Sequence, residues 1–267
     1  MHLTKHHGLG NDFLVCLTDT VPSDASAMAR ALCHRTTGIG ADGLVFGTPA
    51  PGYDHRMTLY NADGSLAEMS GNGIRCFAQA IHLADGPVGE LQLLTDGGPR
   101  GVRITEGPDA LTISASVDMG PVGSGPAIPG AVDLAALGVE VVEGRIGTAD
   151  LGNPHLVVQV PDPHAVPLAA AGAALEAAVP GGVNVEFIAP GGPDRIELVV
   201  WERGVGVTQA CGTGACAAAT LAHRWGLVGG SVSVHMPGGD ARVVVGEHAT
   251  LIGPAVLIAH IEVPDAS

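Results

Sequence analysis

Two short segments of the chain place a reactive or polar cap residue directly before a Gly-x-Gly step. One is Ser70-Gly71-Asn72-Gly73 and the other is Cys211-Gly212-Thr213-Gly214. An apolar run of helical character follows each. A helix start of this kind presents unpaired backbone N–H groups and partial positive charge, and glycine lets an anion approach the backbone closely. The chemistry expected is a carboxylate or phosphate cradle with a proton-transfer group beside it. A thiol at that position is expected to ionise below its ordinary value of about 8.5, so Cys211 reads as a proton acceptor or nucleophile. The bland alternatives are tight turns at the glycines and a small buried cap at Cys211. Cys76 and Cys216, a turn or two into their helices, read as packing, and Cys16 and Cys33 as core.

The two segments belong to a longer repeat. Asn61 precedes Ser70 by nine residues, and Glu202 precedes Cys211 by nine. Upstream, Leu9-Gly10-Asn11 matches Leu151-Gly152-Asn153, and Asp42 follows Asn11 by 31 residues as Asn184 follows Asn153 by 31. His155 lies in the repeated polar turn Gly152-Asn153-Pro154-His155. Glu202-Arg203 follows an apolar run and reads either as part of the site or as an ordinary surface pair. Repetition on this scale predicts two similar halves. The turn-rich stretch 118–130 separates them, giving halves at 1–118 and 119–256, with a last strand at about 257–267 completing the first. Helices are expected over 24–34, 71–84, 166–178 and 212–225. Strands are expected at 102–104, 111–117, 155–160, 196–201, 231–235 and 242–245.

Composition narrows the classes. Twelve basic against 27 acidic residues give a formal charge of −15, which opposes binding to a nucleic-acid backbone. Apolar stretches are short or interrupted, so no membrane span is expected. The N-terminal Met1 to His7 segment lacks the apolar middle of a secretory signal. Five cysteines without CxxC pairing speak against a disulfide framework or structural zinc, and a reducing cytoplasm is the expected location. No metal is expected, since His-Glu-x-x-His or similar ligand spacing is missing. Lys5 is the single lysine. A pyridoxal-phosphate enzyme needs a lysine for its internal aldimine, so chemistry on an amino acid is expected to proceed without that cofactor.

The segments His7–Phe13, Gly38–Gly43, Asn61–Ser65, Gly71–Phe77, Gly152–His155 and Glu202–Gly204 through Ala210–Ala215 together resemble the diaminopimelate epimerase family. The resemblance implies an α/β (α+β) fold of two pseudo-symmetric halves. Each would be a β-barrel-like sheet around a central helix, with the active site in the cleft between them. It implies a cofactor-independent isomerase of lysine biosynthesis that inverts the α-carbon of diaminopimelate, one cysteine removing the proton and a second donating one from the opposite face. Carried over by position, Cys211 is one thiol, and Gly71, Asn72, Gly212 and Thr213 form the carboxylate cradle. Asn11, Asn61, Asn153, Asn184, Glu202 and Arg203 hold the amino groups and the far carboxylate, with Glu202 and His155 near the reacting centre. Arg203 suits the far carboxylate because its guanidinium pairs in bidentate fashion. The implied partner is a small amino acid, without nucleic acid or membrane, and the implied assembly is a homodimer.

Three positions depart from that pattern. Ser70 stands where the family has its other cysteine, and a serine hydroxyl is far too weak an acid to replace a thiolate. Leu66 and Val207 stand where the family often has glutamate. Three readings follow: an epimerase scaffold with one base altered by engineering or divergence, a natural relative using the single thiol for isomerisation or dehydration of another amino acid, and an amino-acid-binding protein that has lost the reaction.

Overall fold

The computed structural model describes residues 1–128, 130 and 132–264. The chain divides into two compact units, Met1–Asp118 with Ile252–Ser267, and Met119–Leu251. The last three residues of the closing strand expected at about 257–267, positions 265–267, lie outside the described residues.

The first unit contains β1 (His2–Gly8), β2 (Asn11–Leu17), helix α1 (Ala25–Leu32), β3 (Gly43–Ala50), β4 (Tyr53–Asn61), the short β5 (Leu66–Ala67), helix α2 (Gly71–Asp85), β6 (Glu90–Thr95), β7 (Gly98–Glu106) and β8 (Thr112–Asp118). The second contains β9 (Gly123–Ser124), β10 (Ile146–Asp150), β11 (Pro154–Gln159), helix α3 (Leu168–Ala178), β12 (Asn184–Gly192), β13 (Arg195–Glu202), β14 (Gly206–Thr208), helix α4 (Gly212–Arg224), β15 (Ser231–Met236) and β16 (Gly239–Val244). β17 (Thr250–Glu262) then carries the chain back into the first unit. The fold is mixed α/β and dominated by strands, with four α-helices among the described residues.

Both units repeat one pairing sequence. In the first, β1–β2, β3–β4 and β6–β7 are antiparallel, while β2–β3 and β4–β6 are parallel. In the second, β10–β11, β12–β13 and β15–β16 are antiparallel, while β11–β12 and β13–β15 are parallel. The parallel steps need crossovers, which the helices supply. β7 pairs with β8, β8 with β17 and β17 with β1, closing the first unit into an eight-stranded barrel.

The register corrects one correspondence drawn from spacing. Phe13 pairs with Gly43, and His155 pairs with Asn184. Gly43 and Asn184 each open their strand, and Asn61 and Glu202 each close theirs. The counterpart of Asn184 is therefore Gly43, not Asp42. The extra residue of the first copy lies before β3, where a count along the chain could not locate it.

Each unit buries one helix on every side. From Gly71 to Ile81 every residue of α2 is buried, and from Gly212 to Ala222 every residue of α4. Glycine, alanine and cysteine make those helices thin enough to sit inside a sheet. Gly47 shows how tight the fit is, because a Cβ there would stand 2.4 Å from the Phe77 ring. The other helix of each unit packs outside. Ala25 and Ala29 of α1 join Leu14, Leu44 and Phe46, while Leu175 of α3 joins Leu156, Val158 and Phe187. Strands covered on both faces read as continuous apolar runs rather than alternating ones.

Candidate active site

Cys211 is the N-cap residue of α4, in extended backbone (φ −125°, ψ 117°), so its side chain folds over the first turn. Its Sγ accepts from the Gly214 N–H at 3.4 Å and lies 3.5 Å from Thr213 Oγ1. Thr213 accepts in turn from Asn153 Nδ2 at 3.2 Å, and Asn153 Oδ1 lies 3.2 Å from His155 Nε2. Glu202 joins from β13, hydrogen-bonded to the Cys211 thiol and to Thr208 Oγ1. Four residues inferred from spacing and resemblance on separate elements (Asn153, His155, Glu202, Cys211) thus lie in one network with Thr213. Glu202 is the last residue of β13, while Arg203, the first residue of the turn that follows, is exposed.

Glu186 was not anticipated. Fully buried on β12, it accepts from His155 Nδ1 at 2.6 Å, and its Oε2 has no hydrogen-bond partner. A Cβ added to Gly214 would stand 2.6 Å from Glu186 Oε1 and 3.3 Å from Cys211 Sγ, so Gly214 is what lets the carboxylate and thiol approach the helix start together. The signal was present: Asn184 and Glu186 are alternate residues of one strand and share a face. An acid two positions beyond a site asparagine, inside the run Val183–Ile188, has no reason to be there unless it is paired.

These carboxylates reverse one expectation. The Cys211 thiol was expected to ionise more readily than usual, yet burial first, then the charges of Glu202 and Glu186, push it well above the ordinary thiol value. The hydrogen bonds from Thr213 and Gly214 act in the opposite sense and are outweighed. Burial also raises Glu202, against the lowering effect of Thr208 and Cys211. The pair is a neutral thiol beside a carboxyl whose proton affinity is increased.

The first unit presents the same geometry with different chemistry. Ser70 caps α2 in the same extended conformation (φ −137°, ψ 119°), and its Oγ accepts from the Gly73 N–H at 3.0 Å. Asn72 Nδ2 donates to Asn11 Oδ1 at 3.1 Å, and Asn11 Nδ2 donates to Asp42 Oδ2 at 2.7 Å. Asn61 Nδ2 donates to Ser65 Oγ at 3.0 Å. Fully buried Arg75 reaches Gly71 O at 2.9 Å and Asn72 Oδ1 at 2.8 Å, which fixes the first turn of the helix. Where the second unit has His155, Glu202 and Cys211, the matching positions hold Phe13, Asn61 and Ser70. Lys5, the single lysine, bonds Asp12 at 3.0 Å and Gly40 O at 2.6 Å.

Arg203 occupies the turn between β13 and β14. Its backbone N–H donates to Asn184 Oδ1 at 2.9 Å, and Asn184 Nδ2 donates to Pro154 O at 2.9 Å. The exposed guanidinium reaches Gly181 O at 3.5 Å, its stem lies against Gly182, and it makes no ion pair with Glu202. Leu66 and Val207, the two apolar departures, are both exposed, at 58% and 55%. Among the described residues, no group of three or more His, Cys, Asp or Glu side chains is arranged to hold a metal. No helix among the described residues is long and apolar enough to cross a membrane.

A family profile described as diaminopimelate epimerase matches residues 3–123 and 147–258. The chain is 41% identical to a diaminopimelate epimerase of Pelotomaculum thermopropionicum over 276 residues, covering 96% of both chains. It is equally similar, at 41% over 279 residues and 96% of both, to the diaminopimelate epimerase of Moorella thermoacetica. Among solved structures, a phenazine biosynthesis protein of the PhzF family from Bacillus anthracis superposes with a TM-score of 0.77 over 99% of each chain, at 13% identity, and shows the same fold. The chain belongs to the diaminopimelate epimerase family and is an isomerase of the epimerase type.

Proposed function

We propose that the chain interconverts LL- and meso-diaminopimelate by moving the proton of the α-carbon, with Cys211 as one of the two proton carriers. The observation that supports this most is the placement of a buried thiol on the first turn of α4, hydrogen-bonded to Glu202 and set among Thr213, Asn153 and His155. Glu202 receives the thiol proton as substrate binds. The thiolate then takes the α-proton: the Cα–H bond breaks, an S–H bond forms, and the electron pair passes toward the substrate carboxylate. Backbone N–H groups at Gly212 and Thr213 stabilise that charge, as preorganised dipoles do in a site without water. Asn153 and the His155–Glu186 pair hold the network in register. Arg203 takes the far carboxylate.

Inversion also needs a proton delivered to the opposite face of the carbon. In this reading residue 70 carries that task, and Ser70 makes it slow because a hydroxyl neither ionises nor re-protonates at a thiol's rate. The serine favours a second reading, in which the single thiol works one face of a different amino acid. Chromatographic separation of LL- and meso-diaminopimelate after incubation with the native chain and with Ser70→Cys decides between them. The expected result is turnover at least about 100-fold faster in the variant. An unchanged rate contradicts the epimerase reading.

A further inference from the structure

Glu176 lies on α3, outside the group of residues discussed above, and its two carboxylate oxygens are both used. Oε2 accepts from the Trp201 indole Nε1 at 2.6 Å, and Oε1 accepts from the Gly204 backbone N–H at 2.9 Å. These donors flank Glu202 and Arg203 in sequence, so one side chain grips both ends of the segment that carries them. The rest of α3 is shaped to the same purpose. Gly172 leaves room for Trp201, since a Cβ there would stand 2.4 Å from the indole. Gly182, just past the helix, receives the Arg203 stem, and a Cβ there would stand 2.9 Å from Arg203 Cδ and 3.4 Å from Glu176 Cγ. Asn184 holds the Arg203 backbone from the other side.

We infer that Glu176 is a positioning residue for recognition of a second carboxylate: it fixes the Trp201–Gly204 turn so that the exposed Arg203 guanidinium is presented to a dicarboxylic amino acid. This rests on the reading of Arg203 as the partner of the far carboxylate. A carboxylate is required because the turn offers two N–H donors, and a glutamine would meet one of them with its own NH2 group. Specificity follows from preorganisation, since an Arg on a loose turn must be ordered at the moment of binding.

The test measures the affinity of diaminopimelate and of lysine, which is diaminopimelate lacking one carboxylate, by calorimetry. It also follows Trp201 emission in a Trp225→Phe background, where Trp201 is the remaining tryptophan. Glu176→Ala is expected to lose about tenfold in diaminopimelate affinity, a change of the size expected for one charge-assisted contact, and less than about twofold for lysine. Trp201 emission shifts as the indole loses its acceptor. Trp201→Phe, which keeps the ring and removes one donor, gives a smaller loss in the same direction and serves if Glu176→Ala folds poorly. Adding Glu176→Gln to Trp201→Phe costs little more, because the remaining Gly204 donor still finds an oxygen. Equal losses for both ligands, or an emission shift with diaminopimelate affinity retained, overturn the inference. If Arg203→Ala weakens both ligands equally, the Arg203 reading itself fails and takes this one with it.

Discussion

At the scale of the residue, Cys211 is governed by competing effects of different range. The helix start and the N–H of Gly214 favour a thiolate, but a hydrogen bond to sulfur is weak and the dipole's influence is confined to the first turn. Complete burial and two nearby carboxylates act against it and win. The charged groups facing the thiol are Glu202 from β13 and Glu186 from β12, with His155 of β11 paired to Glu186. Removing one of these negative charges is expected to lower the thiol's ionisation point. Iodoacetamide labelling of Cys211 as a function of pH, with the site assigned by mass spectrometry, checks this. In Glu186→Gln the midpoint moves down; an unmoved midpoint shows that Glu186 does not act on the thiol. The expectation of a readily ionised Cys211 has the wrong direction, because the opposing charges come from strands 25 and nine residues away in the chain.

At the scale of the element, the four helices stood out and many strands did not. All four expected helices form, at Ala25–Leu32, Gly71–Asp85, Leu168–Ala178 and Gly212–Arg224. Strands β1 to β3, β6, β10 and β12 lie outside the segments expected to be extended. Several are covered on both faces, like β2 and β3, and so lose the alternation that reveals a strand. β1 hides a titratable group in the same way. His6 is fully buried, its Nδ1 bonded to Gln79 Oε1 at 2.8 Å and its Nε2 without a partner. Burial lowers it to about 4, with the charges of His260 and His7 acting in the same sense and Gln79 acting against. The unfolded chain binds this proton at about 6.5 and the folded chain does not until about 4. The neutral ring therefore contributes full stability above pH 6.5, and that contribution fades as pH falls toward 4, by up to about 3 kcal/mol. Urea unfolding at pH 7 and pH 4.5 is expected to show a larger loss for the native chain than for His6→Leu. Equal losses would remove His6 from the acid response.

At the scale of the whole molecule, duplication is the organising fact, and it was legible because spacing between polar turns survives when most side chains change. The shared ladder sequence, the shared helix placement and the matching cap conformations at Ser70 and Cys211 all repeat across the two units. What spacing could not reveal is how unequal the copies have become. One retains a buried His–Glu pair, a second carboxyl and a thiol. The other retains the backbone cradle, stiffened by Arg75, around a hydroxyl. Acid–base capacity is concentrated in the second copy, so the chemistry proposed here depends on Cys211 more than on any other side chain.

Exchange of the substrate α-proton with solvent reads that dependence without requiring inversion. Diaminopimelate incubated with the chain in deuterium oxide and followed by proton NMR is expected to lose its α-proton signal as deuterium enters. Cys211→Ala is expected to stop the exchange entirely while still binding the amino acid. Exchange that persists in Cys211→Ala would contradict the assignment of the thiol as the base.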